Sequence, residues 1–432
     1  MNARVKAMKQ EMQDVLENNI LRFWLDKMVD HENGGFYGRI DGHGQLHPEA
    51  EKGAILNARI LWSFSAAYRV LRNLDNLEPL EYLKATKRAY DYFINHFIDK
   101  EYGGVYWSLD CKGYPLDTKK QFYAIGFAIY ALSEYARATG DREALDYAID
   151  LYECIEEHSF DPTYNGYIEA CTREWGEMAD MRLSELDANY PKSQNTHLHI
   201  IEPYTNLYRC LKEMLAVASC NYVPVVGAVL PVDVAIPVEL LARIEGSLRN
   251  LIDIFTDRIL NPDTHHLDLF FEKDWTRGAG HLESYGHDIE CSWLLHEAAL
   301  VLGDPKVLRK VEPIVQMVAQ ASEKGLRPDG SLIHEANLDT GHVDDDRHWW
   351  VQAENVVGWL NIYQYFGDVS ALDKAERCWQ YIKHQLIDHD DGEWYWSRRP
   401  DGTVNRDDDK AGFWKCPYHN TRMCLEIIER DF

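Results

Sequence analysis

The sequence predicts an all-α fold, an (α/α)6 barrel of six helical-hairpin repeats with short β-hairpin loops on one face. Three observations carry this reading: one turn motif occurs six times, its copies are spaced near 65 residues, and the intervals show apolar periodicity of the helical kind.

The turn motif is a Gly- or Asn-centred tetrapeptide flanked by aromatics, since a tight hairpin needs residues that accept positive φ. It reads Asn33-Gly-Gly-Phe-Tyr37, Tyr102-Gly-Gly-Val-Tyr-Trp107 and Tyr164-Asn-Gly-Tyr-Ile168, and then, more loosely, Thr264-His-His-Leu-Asp268, Pro328-Asp-Gly-Ser-Leu332 and Asp390-Asp-Gly-Glu-Trp-Tyr-Trp396. Taking Gly34, Gly103, Asn165, His265, Asp329 and Asp391 as anchors, the intervals are 69, 62, 100, 64 and 62 residues. A period near 65 holds two helices and a hairpin, and six such pairs close on themselves. An open solenoid is the alternative arrangement of the same repeats.

Between anchors, apolar residues recur at three and four over 54–71, 122–138 and 351–366. The long third interval contains an apolar, β-branched insertion at about 215–240, broken by Pro224, Pro231 and Pro237. The prolines and Asp233 argue against a membrane span. The expected organisation is a single barrel domain over 1–432 carrying that insertion.

Composition narrows the function. With 71 acidic and 45 basic residues the net charge is -26, which disfavours nucleic acid and anionic membranes as partners. The 9 cysteines include no Cys-x-x-Cys pair, a pattern of reduced thiols and not of disulfides or zinc. The first 17 residues are charged and helix-like, without the apolar core of a signal peptide, so a cytoplasmic protein is expected, as a monomer or weak homo-oligomer. The 13 Trp and 25 Tyr suit an aromatic-lined cleft, the kind that stacks on sugar rings.

Some 20 to 35 residues after each hairpin a helix begins with an unusual group: Arg59, Tyr123, His199, His287 with Glu290, Trp350 with Glu354, and His419 with Trp414 before it. In a ring of inner helices these heads converge at one mouth. His287, Glu290 and Trp293 are spaced to stack on one helical face, with Gly286 read as a tight entry to the first turn. Pro417 opens a helix that leaves His419 in its first turn, where backbone N–H groups keep an imidazole neutral. Arg59 stands in an apolar helical run, so it needs an anion, either a structural carboxylate or a ligand oxygen. His197 and His199, two apart on a helix, point in different directions, which argues against a metal pair. His265 and His266 read as surface imidazoles of a hairpin, without a role.

These segments carry a resemblance. Ala54-Ile-Leu-Asn-Ala-Arg59, Asn195-Thr-His-Leu-His199, Gly286-His-Asp-Ile-Glu290, Trp350-Val-Gln-Ala-Glu354 and Trp414-Lys-Cys-Pro-Tyr-His-Asn420 resemble, in order, the cellobiose 2-epimerases of the N-acylglucosamine 2-epimerase superfamily. The resemblance implies cofactor-independent epimerisation at C2 of the reducing-end sugar of a β-1,4-linked disaccharide, with no metal. It implies that His287 and His419 form the acid/base pair, that His199 and Arg59 assist ring opening, and that Tyr123, Asp187, Asn195, Glu290, Trp350, Glu354 and Trp414 line the cleft. The residues agree on their own terms: C2 of an opened aldose lies beside a carbonyl, and two imidazoles with a cation suffice to move its proton. An aldose–ketose isomerase or a monosaccharide 2-epimerase would share these groups. A glycoside hydrolase needs a carboxylate pair where this cluster is His-rich, and a sugar-binding protein needs no histidine cluster.

Overall fold

The computed structural model describes residues 2–72, 79–185, 187–219 and 237–432. Six helices form an inner ring: α3 (Ala54–Leu71), α5 (Phe122–Thr139), α7 (Gln194–Ser219), α9 (Tyr285–Leu302), α11 (Trp349–Phe366) and α13 (Tyr418–Glu429). Each contacts the next, and α13 returns to α3, so the ring is closed and an open solenoid is excluded. Outside lie α1 (Ala3–Val15), α2 (Arg22–Lys27), α4 (Leu80–Tyr92), α6 (Arg142–His158), α8 (Val238–Ile254), α10 (Pro305–Ser322) and α12 (Val369–Tyr381). The inner helices are buried nearly all round, whereas the outer ones are amphipathic, because only the outer ring has a solvent face.

Three inner-to-outer turns are built by a Gly-Asp pair. Gly140, Gly303 and Gly367 end α5, α9 and α11 in the left-handed region, at φ 77, 72 and 71°. Asp141, Asp304 and Asp368 then cap α6, α10 and α12 through their carboxylates. Such a cap contributes about 1 kcal/mol.

All six hairpin motifs are hairpins, each closed by one β-bridge: Val29 with Phe36, Ile98 with Val105, Phe160 with Tyr167, Leu260 with Leu267, Leu326 with Leu332, and Ile387 with Trp394. The left-handed residues include Gly34, Gly103, Asn165 and His265, as the anchors predict; in the last two copies they are Gly330 and Gly392, one position after Asp329 and Asp391. Asp30, Asp99, Asp161, Asn261 and Asp388 accept the turn N–H groups two and three residues on. In three repeats the aspartate's other oxygen meets a buried lysine standing two residues ahead of the inner helix: Lys52 on Asp30 at 2.7 Å, Lys120 on Asp99 at 2.8 Å and Lys192 on Asp161 at 2.9 Å. The fourth and fifth repeats depart, with Glu283 and Arg347 at the lysine position.

Short strands join the helix heads on this face. β1 (Lys52–Gly53) pairs with β2 (Ser108–Leu109), which pairs with β3 (Pro115–Asp117); β4 (Lys120–Gln121) pairs with β5 (Ala170–Cys171), and β6 (Lys192–Ser193) with β7 (Phe270–Phe271). β8 (Leu282–Ser284), β9 (Glu335–Asn337) and β10 (His342–Asp344) form one antiparallel sheet, and β11 (Arg347–His348) pairs with β12 (Ser397–Arg398). Every inner helix therefore starts at the same end of the barrel. Of the expected insertion at about 215–240, residues 220–236 lie outside the described residues.

Candidate active site

The helix starts set two tiers of side chains. The second or third residue of each of five inner helices forms the upper tier: Tyr123, Asn195, His287, Trp350 and His419. One turn deeper, about 6 Å along the axis, stand Arg59, Phe127, His199, Glu290, Glu354 and Arg422. Converging helix N-termini make this end of the barrel electropositive, which favours developing negative charge and disfavours imidazolium.

At the centre of the lower tier is Arg422, a fully buried guanidinium. One of its nitrogens donates to Glu290 at 2.6 Å and Glu354 at 2.7 Å, and the other donates to Glu202 and to the Tyr418 hydroxyl. Two of these carboxylates in turn hold histidines. His419 Nδ1 is 2.8 Å from Glu354, and His199 Nδ1 is 3.0 Å from Glu202. A carboxylate only accepts, so each imidazole carries its proton on Nδ1 and keeps the Nε2 lone pair free. Trp293, from the same face of α9 as Glu290, donates to the second Glu354 oxygen at 2.9 Å.

His199 owes its orientation to a local break. Its backbone, at φ -92° and ψ 15°, leaves the helical region inside α7, and Pro203, four residues on, has no N–H for its carbonyl. Gly126 of α5 packs into the gap, where a Cβ would lie 2.3 Å from the His199 carbonyl oxygen. His197 points away, with Nδ1 2.6 Å from the Ser193 carbonyl and Nε2 accepting from the Tyr167 N–H at 3.0 Å. The two histidines diverge, as their spacing requires.

His287 is held by Ser284, whose Oγ is 2.8 Å from Nδ1, and its ring lies 4.9 Å from the Trp350 indole. Trp350 also meets His419, at 5.7 Å, so one indole touches both imidazoles. Gly286 is not the tight entry the sequence suggested: its φ is not left-handed, and a Cβ there would stand 2.6 Å from the Trp350 ring. Its role is to admit the indole. Gly286→Ala is expected to displace Trp350, costing about 1–3 kcal/mol and lowering kcat/KM; chemical denaturation and steady-state kinetics on one preparation check both.

Arg59 is buried, and among the described residues it has no carboxylate partner, which sets aside the structural salt bridge. It donates to the Tyr123 hydroxyl at 2.9 Å, reaches Cys416 Sγ at 3.7 Å and lies over the Phe127 ring at 4.1 Å. Among the described residues its buried Nε has no partner. Tyr123 carries the cluster on to His199, at 4.8 Å between rings, and to Trp414, at 6.1 Å. Trp414 is partly exposed beside Phe413 and Trp107.

Two expected cleft residues are not bonded to a site histidine among the described residues. The Asp187 carboxylate is engaged by the Ser184 N–H and hydroxyl, at 2.9 and 2.8 Å, and the Asn195 side-chain oxygen is buried without a partner among the described residues. The reading of His266 as a surface imidazole is corrected: it is buried, with Nδ1 2.6 Å from Asp288, which also accepts the Leu267 N–H.

Burial lowers all three site imidazoles: His287 and His419 fall well below the ordinary 6.5, the latter pushed further by Arg59 and Arg422, and His199 falls despite Glu202. They stand neutral at physiological pH. Burial and the adjacent Glu354 hold Glu290 above the usual carboxylate range.

The sequence reading missed Arg422, Glu202, Tyr418 and Ser284. Arg422 and Glu202 each follow a site histidine by three positions, a spacing that puts them on the same helical face.

The family description N-acylglucosamine 2-epimerase (GlcNAc 2-epimerase) matches residues 35–206 and 243–422. The chain belongs to this family. It is 57% identical to the cellobiose 2-epimerase of Bacteroides fragilis, over 98% of this chain and 99% of that one, and 39% identical to a cellobiose 2-epimerase of Ruminococcus albus, over 98% and 99%. The solved cellobiose 2-epimerase of Bacillus thermoamylovorans superposes with a TM-score of 0.86 at 40% identity, covering 99% of this chain and 100% of its own. Among the described residues no helix is long and apolar enough to cross a membrane.

Proposed function

We propose that this family member epimerises C2 of the reducing-end sugar of β-1,4-linked disaccharides such as cellobiose, lactose or mannobiose, with His287 and His419 as the proton-transfer pair. The observation that carries the assignment is a pair of neutral imidazoles on two helices, both against one indole, beside a buried guanidinium with no carboxylate partner among the described residues.

Once the sugar ring has opened, C2 is flanked by the C1 carbonyl. One imidazole takes the C2 proton through its free nitrogen, and the C–H electrons pass into the carbonyl to give an enediolate. Arg59, with the Tyr123 hydroxyl, faces the oxygen on which the charge develops; His199 assists ring opening on the O1/O2 side. The other imidazole returns a proton to the opposite face of C2, the carbonyl re-forms and the ring closes. Both imidazoles are neutral beforehand, so the pair takes up one proton from solvent as the sugar binds; that proton changes sides at each turnover and no net proton is consumed. Trp350 and Trp414 offer flat faces to the sugar rings, and Asp187, Asn195, Glu290 and Glu354 complete the cleft. With Glu290 protonated, Arg59 and Arg422 balance Glu202 and Glu354.

The barrel acts as one catalytic domain over 1–432, as a monomer or weak homo-oligomer in the cytoplasm, a setting supported by eight described cysteines that are all free thiols.

Proton NMR with cellobiose in D2O, without added metal or nucleotide, tests the assignment. Deuterium at C2 together with glucosyl-mannose signals is the expected result. Free glucose would indicate a hydrolase and a ketose an isomerase; either, or an unchanged spectrum, would overturn the proposal. The lowered imidazoles make a further prediction about pH. Turnover needs one neutral base, and only double protonation of the pair removes it, so the acid limb of kcat/KM is expected below pH 6.5. A limb at or above that value would contradict the roles given to these histidines.

A further inference from the structure

A second cluster of ligand-type side chains lies one indole away from the histidine pair. His334 precedes β9, Asp344 ends β10 and His348 ends β11, all partly buried. Both imidazoles address one oxygen of Asp344: His334 Nδ1 is 2.8 Å from Oδ2 and His348 Nε2 is 3.4 Å from it, and the three ligand atoms lie within 4.8 Å of one another. In a tetrahedral zinc site, bonds of 2.0–2.2 Å place neighbouring ligand atoms about 3.3 Å apart. The His348–Asp344 distance is already close to that edge, the His334–Asp344 distance is shorter than it, and the two nitrogens lie within 4.8 Å of each other. The other oxygen of Asp344 accepts the Asp346 N–H at 3.1 Å, and the His334 N–H bonds the Asp344 carbonyl, so the carboxylate is fixed from behind.

We propose that His334, Asp344 and His348 form a binding site for a divalent cation of borderline softness, zinc or cobalt(II), with one coordination position left open. Two imidazoles and a carboxylate suit such ions better than calcium or magnesium, which prefer all-oxygen shells. The net charge of -26 draws cations to the protein. The other comparable group, Glu290, Glu354 and His419, already encloses the Arg422 guanidinium, 2.6 and 2.7 Å from the two carboxylates, and has no room for a second cation.

A cation here would tie the β9–β10 hairpin to the head of α11. His334 lies edge-on to Trp350 at 5.7 Å, so the tie would also fix the indole between His287 and His419. The three ligands are ten and four residues apart in the chain, a spacing without a recognisable metal signature, and the hairpin brings them together.

The test is titration calorimetry of EDTA-stripped full-length protein with zinc chloride near neutral pH. One site per chain is expected, at least about tenfold weaker in the His334→Ala/His348→Ala double variant and unchanged in His281→Ala, which removes an exposed histidine paired with Asp339. No binding, or binding undiminished in the double variant, would overturn the proposal. Should that variant fail to fold, Asp344→Asn takes its place, and the cobalt(II) absorption of the wild type decides independently: a tetrahedral spectrum supports the site and an octahedral one sinks it.

Discussion

His419→Ala and His287→Ala are each expected to lower turnover of lactose to epilactose by about a hundredfold to ten-thousandfold while the circular-dichroism spectrum stays that of the wild type. Both imidazoles stand at the start of a helix whose remaining length is packed by other residues, so truncation removes the proton carrier and leaves the frame. Glu354→Gln sharpens the point. A glutamine amide can donate to His419 Nδ1, which moves the imidazole proton to Nε2 and blocks the base with little change of shape, and a loss close to that of His419→Ala is expected. A near wild-type rate in either alanine variant would remove that residue from the proton-transfer pair.

Arg422→Met has the largest expected effect on stability. The side chain is fully buried against Glu202, Glu290 and Glu354, and taking away the guanidinium leaves those carboxylates packed together without a cation. Breaking a buried ion pair from one side costs about 3–5 kcal/mol, read as a fall in the urea midpoint at unchanged slope. Turnover should fall with it, because two of those carboxylates, Glu202 and Glu354, orient His199 and His419. Arg422→Lys keeps the charge but not the fork, so it should lie between the two. A methionine variant as stable as the wild type would show that the three carboxylates do not need the cation.

The fold was legible because its signals are local. The run at 54–71 is a helix over the same residues, 351–366 is one within two residues of its start, and five of the six turns announce themselves through Gly or Asn, the fourth turning on His265. The Gly-Asp pairs at 140, 303 and 367 were equally legible as helix-to-helix links, though aromatic turns drew the reading first. The upper tier of the site was visible for the same reason, being one conspicuous residue per helix start. Of the lower tier Arg59, His199, Glu290 and Glu354 were visible too, but the buried charge network that joins them through Arg422 and Glu202 was not. Arg422 and Glu290 are 132 residues apart and Tyr418 and Glu202 are 216 apart, and the sequence alone does not say that a buried charge on one helix answers another so distant. His266 and Asp288 were hidden likewise, since a hairpin imidazole reads as solvated until a neighbouring helix supplies its carboxylate.

The closed ring also orders events in time. The last inner helix, α13, packs against both α3 and α1, and Lys9 donates to the carbonyl of Ile428, 419 residues away. Contacts of such span pay the largest loop entropy and form late. His419 and Arg422 ride on that helix, so the earlier repeats can stack while the mouth still lacks a base and its central cation. In a refolding experiment helical signal should return before turnover, and the regain of activity would time the closing of the seam.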